Sequence, residues 1–440
     1  MKKIFILFFI ITSINSMAQE SYSLESAIDY AIKNTYAVKN ADLAIKAAKH
    51  KKWETTTMGL PQINASVDYQ NFIKQPISLI PAEIFGGPPG EFAEVSFGTK
   101  QKVNASATLS QLLFDGSYLV GLQSAKVYLK ISELAKIKTE KSIKEVTINA
   151  YGNVLLAKES ITIIENNLKL INKTIHDTNE IYKNGFAEEQ DVEQLQITKA
   201  ILNNQLNKSK RLLVVAKNML KITMGIEIKN PIILSDSLEN LAVSQNDLKL
   251  YNTSFNVENN IDYQISKNSV TAKELFVKLE KSKYLPQLTA FLNYGATANN
   301  NDFTFINKDQ RWFNSSLFGV SLNVPVFSSF KRNSRVQQAK IALIQEKNNL
   351  TQAEEKLKLQ VESAKANYQF AIDNFNTNKQ SLALAKRIEK KEKIKFFEGV
   401  GSSFNLTQAQ NQLYLMQQQY LNSIVQIINT KIQLENALNK

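Results

Sequence analysis

Apolar positions along the chain recur with two periods. Leu122, Leu129, Ile143, Ala150, Ala157, Ile164 and Ile171 fall on one seven-residue register, broken only by Lys136. Val336, Leu343, Leu350, Leu357, Ala364 and Ala371 form a second. Sustained heptads predict helices packed along their length rather than single amphipathic helices on a globule. Four other stretches alternate. Ile63, Ala65, Val67 and Tyr69 interleave with Asn64, Ser66, Asp68 and Gln70, and Val103, Ala105, Ala107 and Leu109 with Asn104, Ser106, Thr108 and Ser110. Leu288, Ala290, Leu292 and Tyr294 form the third set, and Phe318, Val320, Leu322, Val324 and Val326 the fourth. Such segments fit outer-membrane strands, and they fit half-buried hairpins of a soluble protein equally well.

Helix breakers separate the two patterns. Ten of the 22 glycines and prolines lie in residues 60–116, whereas 122–184 holds only Gly152 and 326–398 holds none. The registers superpose at an offset of 214, which carries Leu122 to Val336, Gly185 to Gly399, Asp191 to Asn405 and Gln196 to Gln410. Leu60-Pro61-Gln62 returns as Leu285-Pro286-Gln287. The chain is an internal duplication. Each half reads helix (about 23–58 or 259–283), strand, loop, strand, very long helix (to about 184 or 398), glycine turn and return helix. This predicts a first repeat over 19–225, an equatorial connector over 226–258 and a second repeat over 259–440. A helix from about 118 to 184 would be roughly 100 Å long. Four strands cannot close a barrel, so membrane strands would have to be pooled between chains.

Composition narrows the chemistry. The absence of cysteine removes disulfides and thiolate sites, and two histidines leave little room for a metal centre. His50 and His176 lie on lysine-containing helical stretches and read as solvated surface. The net charge of +13 is scattered along helices rather than gathered with aromatics, which argues against nucleic acid. No phosphate loop, Gly-x-Ser-x-Gly or His-Glu-x-x-His motif is present. No cofactor, metal or catalytic residue is expected, and the chain does not read as an enzyme. Lys2-Lys3, the apolar run Ile4–Ile11 and Ser16-Met17-Ala18 predict a bacterial secretory signal over 1–18. With no cysteine after the cleavage point, a lipoprotein anchor is not expected.

The signal, the duplicated order, the Phe114-Asp115-Gly116 corner and the glycine reversals together resemble the TolC-type outer-membrane efflux family across residues 19–440. The resemblance implies an α+β membrane protein. Its long α-helical periplasmic tunnel would be continuous with a trimeric 12-stranded barrel in the outer membrane, four strands per chain. It implies a homotrimer that docks a periplasmic adaptor and an inner-membrane transporter of the resistance-nodulation-division or ABC type. The function implied is the exit duct of a tripartite efflux system for small molecules. Type I protein secretion is the alternative, and a periplasmic coiled-coil scaffold that never inserts is a more distant one.

The resemblance also assigns residues. The adaptor-docking tips are Gly185, Phe186 and Ala187 in the first reversal and Gly399, Val400, Gly401 and Ser402 in the second. Gate positions fall on Asp191, Phe396, Gly401, Asn405 and Gln408. Asp191 keeps the family's first-half aspartate. Glycine stands where the gate arginine would be, Phe396 where a tyrosine would be, and Asn405 and Gln408 replace acidic positions. Without the arginine an Asp–Arg lock cannot form, so closure would rest on packing or hydrogen bonds. Asp191 also has a plainer reading as an acid favoured at a helix start. Barrel-to-helix corners are Pro61, Phe114, Gly116, Pro286, Pro325 and Phe327. The insertion 72–100, with Phe72, Phe85, Phe92 and Phe97, would be a surface loop, and 296–314 its shorter counterpart.

Overall fold

The computed structural model describes residues 21–245, 248–251 and 253–439, so the expected signal segment 1–18 lies outside the described residues. In chain order the elements are β1 (Ser21–Tyr22), α1 (Leu24–Asn34), α2 (Tyr36–Thr57), β2 (Gln62–Asn71), β3 (Ile77–Pro81), β4 (Phe92–Ser96), β5 (Gln101–Asp115), α3 (Gly116–Lys183) and α4 (Glu189–Met224). After them come β6 (Ile233–Leu234), α5 (Leu238–Gln245), α6 (Leu248–Tyr251), α7 (Ile261–Ser282), β7 (Gln287–Asn300), β8 (Phe313–Asn323), α8 (Lys331–Phe397) and α9 (Ser403–Leu438). The order strand, strand, long helix, return helix occurs twice, as the duplication predicts. α3 has 68 residues and α8 has 67. The chain divides into two compact units, one of residues up to 43, 134–265 and 351–440, the other of 44–133 and 266–350.

The second unit holds a four-stranded antiparallel sheet in the order β2-β5-β7-β8. Its register aligns side chains of like polarity across β2, β5 and β7 and the second half of β8, whereas at the start of β8 Asn314 and Ser316 fall in the apolar rows and Phe313 and Leu317 in the polar ones. Ile63, Leu109, Leu292 and Phe318 form one row, whereas Ser66, Ser106, Gly295 and Ser315 form a row on the opposite face. The polar face is tied by side-chain hydrogen bonds. Asn293 Nδ2 donates to Thr108 Oγ1 at 2.6 Å, Thr297 Oγ1 donates to Asn104 Oδ1, and the Ser66 and Ser106 hydroxyls pair at 3.2 Å. Most of the apolar face is uncovered within the unit: every residue of β2 is exposed, and Phe318, Val320 and Leu322 of β8 are too, whereas Phe305 covers the row of Val103 and Ala298. A half-buried soluble hairpin hides its apolar face. This sheet does not.

Strand ends depart from expectation. The fourth strand begins earlier, at Phe313, and stops at Asn323, leaving Val324 and Val326 beyond it. Pro325 has no N–H to give to a ladder, so pairing ends before it. The 72–100 segment is not a plain loop. It carries the β3–β4 hairpin, paired from Ile77↔Ser96 to Pro81↔Phe92, and a 3₁₀ turn at Ala82–Phe85. In the 301–312 loop, Phe303 and Phe305 pack edge-on against Tyr69 and each other, and Phe305 is buried with Val103 and Ala298.

The first unit is helical. The heptad residues predicted for it mostly sit inward: Ala150, Ile164, Ile171, Leu357, Ala364 and Ala371 are buried, and Ile143 and Ala157 are half-buried. Burying a large apolar side chain contributes about 1.5–3 kcal/mol. Tyr151 and Tyr368 are the bulkiest fully buried side chains. The Tyr151 hydroxyl donates to Asp236 Oδ2 at 2.9 Å, and the same carboxylate oxygen accepts the Leu24 N–H at 2.7 Å. Asp236 thereby ties α3 to the first turn of α1 beside the short β1–β6 pair.

The helix expected over 23–58 is instead two helices, because Thr35 takes an extended conformation between α1 and α2. Gly225 shows why the site is shaped this way. It ends α4 at φ 75°, and a Cβ there would lie 2.7 Å from the Asn34 carbonyl oxygen. No described helix is long and apolar enough to cross a membrane.

A charge on the apolar face should therefore be costly in a bilayer and harmless in water. Val320→Arg is expected to cost about 2–4 kcal/mol if it meets lipid, removing most assembled protein from the outer-membrane fraction. Ser315→Arg, on the polar face, should assemble normally. Equal yields for the two would return the sheet to the soluble reading.

Candidate functional site

Two helix reversals carry most of the residues singled out by the sequence, and they are built alike. At the end of α3, Gly185 takes φ 77°; its N–H donates to the Tyr182 carbonyl at 2.9 Å and the Phe186 N–H to Ile181 at 3.1 Å. At the end of α8, Gly399 takes φ 75°, with its N–H on Phe396 O at 3.1 Å and Val400 N–H on Lys395 O at 3.0 Å. Both are Schellman closures, which need a residue free of the Cβ penalty in the left-handed region. The reversals present apolar tips. Phe186 is 85% exposed and Val400 75% exposed, while Ala187 is half-buried.

Gly401 is constrained differently. Its φ is ordinary, but a Cβ there would stand 2.9 Å from Lys395 Cβ and 3.0 Å from the Phe396 nitrogen. Position 401, where the resemblance places an arginine, is thus closed to a side chain unless the turn itself shifts.

Asp191 is the link between the two reversals. One carboxylate oxygen accepts the Glu188 N–H at 3.0 Å, which is the helix-start role open to an acid at that position. The other accepts the hydroxyl of Ser403, a buried residue in the first turn of α9. Ser402 caps the same helix by accepting the Asn405 N–H at 3.3 Å. Asp191, Phe396, Gly401 and Ser402 line one groove of about 940 Å³ between the turns, and Phe396 is buried edge-on against Phe397 at 5.4 Å. Asn405 and Gln408 stand outside that groove, exposed on α9.

Sequence reasoning missed Ser403, although Ser402-Ser403 after two glycines is a recognisable helix start. It also missed a polar seam within two or three turns of the reversals. Thr178, Glu389, Thr407, Gln410 and Tyr414 each bury a side-chain polar atom that has no partner. Gln410 is fully buried with both amide atoms unpaired. Each such group costs about 1–3 kcal/mol. Glu389 is 8% exposed, and burial raises its carboxyl pKa above the usual value against a smaller opposing pull from Lys393. Burial, then the charge of Glu389, pushes up the Tyr414 hydroxyl. The signal for Gln410 was its place between Leu406 and Leu413 on a heptad.

The predicted corners all lie in the sheet unit. Pro61 and Pro286 precede β2 and β7. Phe114 follows the β-bulge in β5, and Gly116 opens α3 where a Cβ would meet Leu285 Cδ1 at 2.5 Å. Asp115 caps that helix, its Oδ1 accepting the Ser117 and Tyr118 N–H groups at 2.6 and 3.1 Å. Pro325 and Phe327 lie in the turn between β8 and α8.

Outer-membrane channels of known structure share this architecture. CusC superposes with a TM-score of 0.75 at 16% identity, covering 94% of this chain and 91% of its own. VceC of Vibrio cholerae gives 0.72 at 14%, covering 94% and 95%, and the CmeC outer membrane channel of Campylobacter jejuni gives 0.71 at 17%, covering 94% and 85%. Such channels are trimers with a helical tunnel and a β-barrel. Residues 257–440 carry the pattern of the outer membrane efflux protein family, so the resemblance to the TolC-type family holds in sequence as well as fold. No curated protein matches the chain.

Two tests address the site. Asp191→Ala, Ser403→Ala and the double variant should show a coupling of about 1 kcal/mol in thermal stability; additivity would remove the link. Glu389→Gln tests the seam. A carboxyl raised in the folded state is tolerated when protonated and becomes a penalty as pH rises through its folded pKa. The variant should melt above the wild type at pH 8, and the gap should close as pH falls below the ordinary carboxylate range. A gap independent of pH would mean the charge of Glu389 is not what destabilises the seam.

Proposed function

We propose that the chain is the outer-membrane exit duct of a tripartite efflux system, working as a homotrimer that reaches into the periplasm. The observation that carries this reading is the sheet: four paired strands, one face largely apolar and largely uncovered, the other largely polar, and both edges unpaired among the described residues. In hydrocarbon an open edge is not tolerated. Three copies supply twelve strands, enough to close a barrel with the apolar rows outward and the Ser/Asn/Thr rows lining a wet lumen.

The helical unit supports the same assembly. Ile197, Ile201, Val215, Met219 and Ile222 make an exposed apolar stripe on α4. Beside it a largely apolar groove of about 580 Å³ runs between α3 and α4. A neighbouring copy would cover both. At the reversals the Asp191–Ser403 hydrogen bond joins the turns beside the Phe396–Phe397 pair, and among the described residues no ion pair bridges them. Phe186 and Val400 offer the exposed apolar anchors that a periplasmic adaptor would grip. Small molecules are the cargo favoured by the family pattern; a protein cargo would use the same duct with a different inner-membrane partner.

Met219→Glu should lower the trimer fraction after mild detergent extraction while leaving monomer helicity intact. The native absence of cysteine allows a direct test of the tips. Ser402→Cys carrying a photo-crosslinker in intact cells should capture an adaptor protein. An adaptor partnered by a resistance-nodulation-division pump supports efflux, and one partnered by an ABC protein exporter favours secretion. Capture of neither means that residue 402 is not at a docking tip.

A further inference from the structure

The apolar face of the sheet unit does not stop with its last strand. Phe318, Val320 and Leu322 of β8 are followed by exposed Val324 and Val326, then by Phe327 and Phe330, 77% and 74% exposed and edge-on at 6.4 Å. Ser329 and Phe330 hold φ of 45° and 62°, a left-handed conformation that costs non-glycine residues about 1 kcal/mol or more. The turn keeps two aromatic rings in solvent at that cost.

Immediately beyond it stand three cations, Lys331, Arg332 and Arg335, with no acid in the first turn of α8. None of them forms an ion pair among the described residues. The Arg332 guanidinium lies 5.2 Å from the Tyr284 ring centroid, and its Nε is buried without a hydrogen-bond partner. Three positive charges at a helix start oppose the helix dipole. The equivalent start in the first half is the reverse case, since Asp115 supplies the negative group there itself. The duplicated corner has lost its internal anion and gained charge complementary to an external one, next to exposed aromatics.

Resting on the outer-membrane reading above, we propose that the corner from Val326 to Arg335 is a docking surface for anionic phospholipid. Phe327 and Phe330 sit at the boundary between acyl chains and headgroups, and Lys331, Arg332 and Arg335 take the phosphate. Apolar strand, aromatic pair and basic turn follow one another in the order that a membrane surface presents hydrocarbon, interface and charge.

The test uses the full chain, purified as its assembled oligomer, with lipid retention read by native mass spectrometry. Phosphatidylglycerol is compared with phosphatidylcholine and with inorganic phosphate. Lys331→Gln/Arg335→Gln is the first variant, because both side chains are exposed and folding should be undisturbed. At roughly five-fold per charge, it should bind phosphatidylglycerol about 25-fold more weakly. Arg332→Gln should weaken it further, and Phe327→Ser/Phe330→Ser should lower retention of both lipids. Lys100→Gln/Lys102→Gln, with the same charge removed elsewhere on the sheet unit, should stay within about two-fold of wild type.

Undiminished phosphatidylglycerol binding in the Lys331/Arg335 variant, or no preference over phosphatidylcholine in the wild type, overturns the proposal. Displacement of lipid by inorganic phosphate alone overturns it too, in favour of a free-anion site. Outer-membrane fractionation of the same proteins separates this failure from that of the duct itself. Oligomers that assemble in the membrane but show no lipid preference sink only the lipid surface. No oligomer in that fraction sinks the reading beneath it.

Discussion

A peptide group in hydrocarbon has no water to turn to, and that constraint governs the sheet unit. Four strands satisfy one another's N–H and C=O groups in the interior of the sheet, but β2 and β8 each present an outer row with no partner among the described residues. In the row Ile63–Leu109–Leu292–Phe318, Ile63, Leu292 and Phe318 are exposed and Leu109 is half-buried. Such an object is neither a stable soluble domain nor a stable membrane insertion by itself. It becomes one only when its edges meet other edges, and the duplication supplies paired strands already in the right register for that.

Inserting two strands into each half also fixes what the helices must do. Each strand pair is followed by a long helix, α3 or α8, that runs on into the helical unit and is joined there to its return helix, α4 or α9. Those joints are the two reversals. A glycine in the left-handed region terminates each long helix, and a capped helix start begins each return. The two halves then diverge in their chemistry. Asp191 has no acidic counterpart at Asn405, and Gln196 on the exposed face of α4 corresponds to the fully buried Gln410 of α9. Equivalent positions in the two halves therefore serve different environments.

Much of the fold was legible in the sequence because its signals are periodic. The heptads around Ile164 and Leu357, the alternation around Val67 and Val320, and the offset of 214 each repeat often enough to outweigh local exceptions. Signals that depend on one contact were not legible. The break at Thr35 follows from the close approach of Gly225, and the end of β8 from a missing donor at Pro325. The β3–β4 hairpin hides in a segment crowded with proline and glycine, where alternation lasts only five residues. At the reversals the glycines could be read from turn chemistry, but Ser403 becomes a partner of Asp191 only once two distant turns are folded together. Gln410, Glu389 and Tyr414 have no motif at all; their interest lies in what they fail to contact.

The side-chain-free position at Gly401 has a consequence for the surroundings in which the turns operate. A charged lock between exposed groups weakens as ions crowd around it, over a screening length that shrinks from about 30 Å in dilute medium to about 3 Å at high salt. A hydroxyl donating to a carboxylate at contact distance, beside two edge-on rings, has far less long-range field to lose. With a side chain at position 401 sterically shut out, the turns are held by contacts that change little with the ionic strength around them.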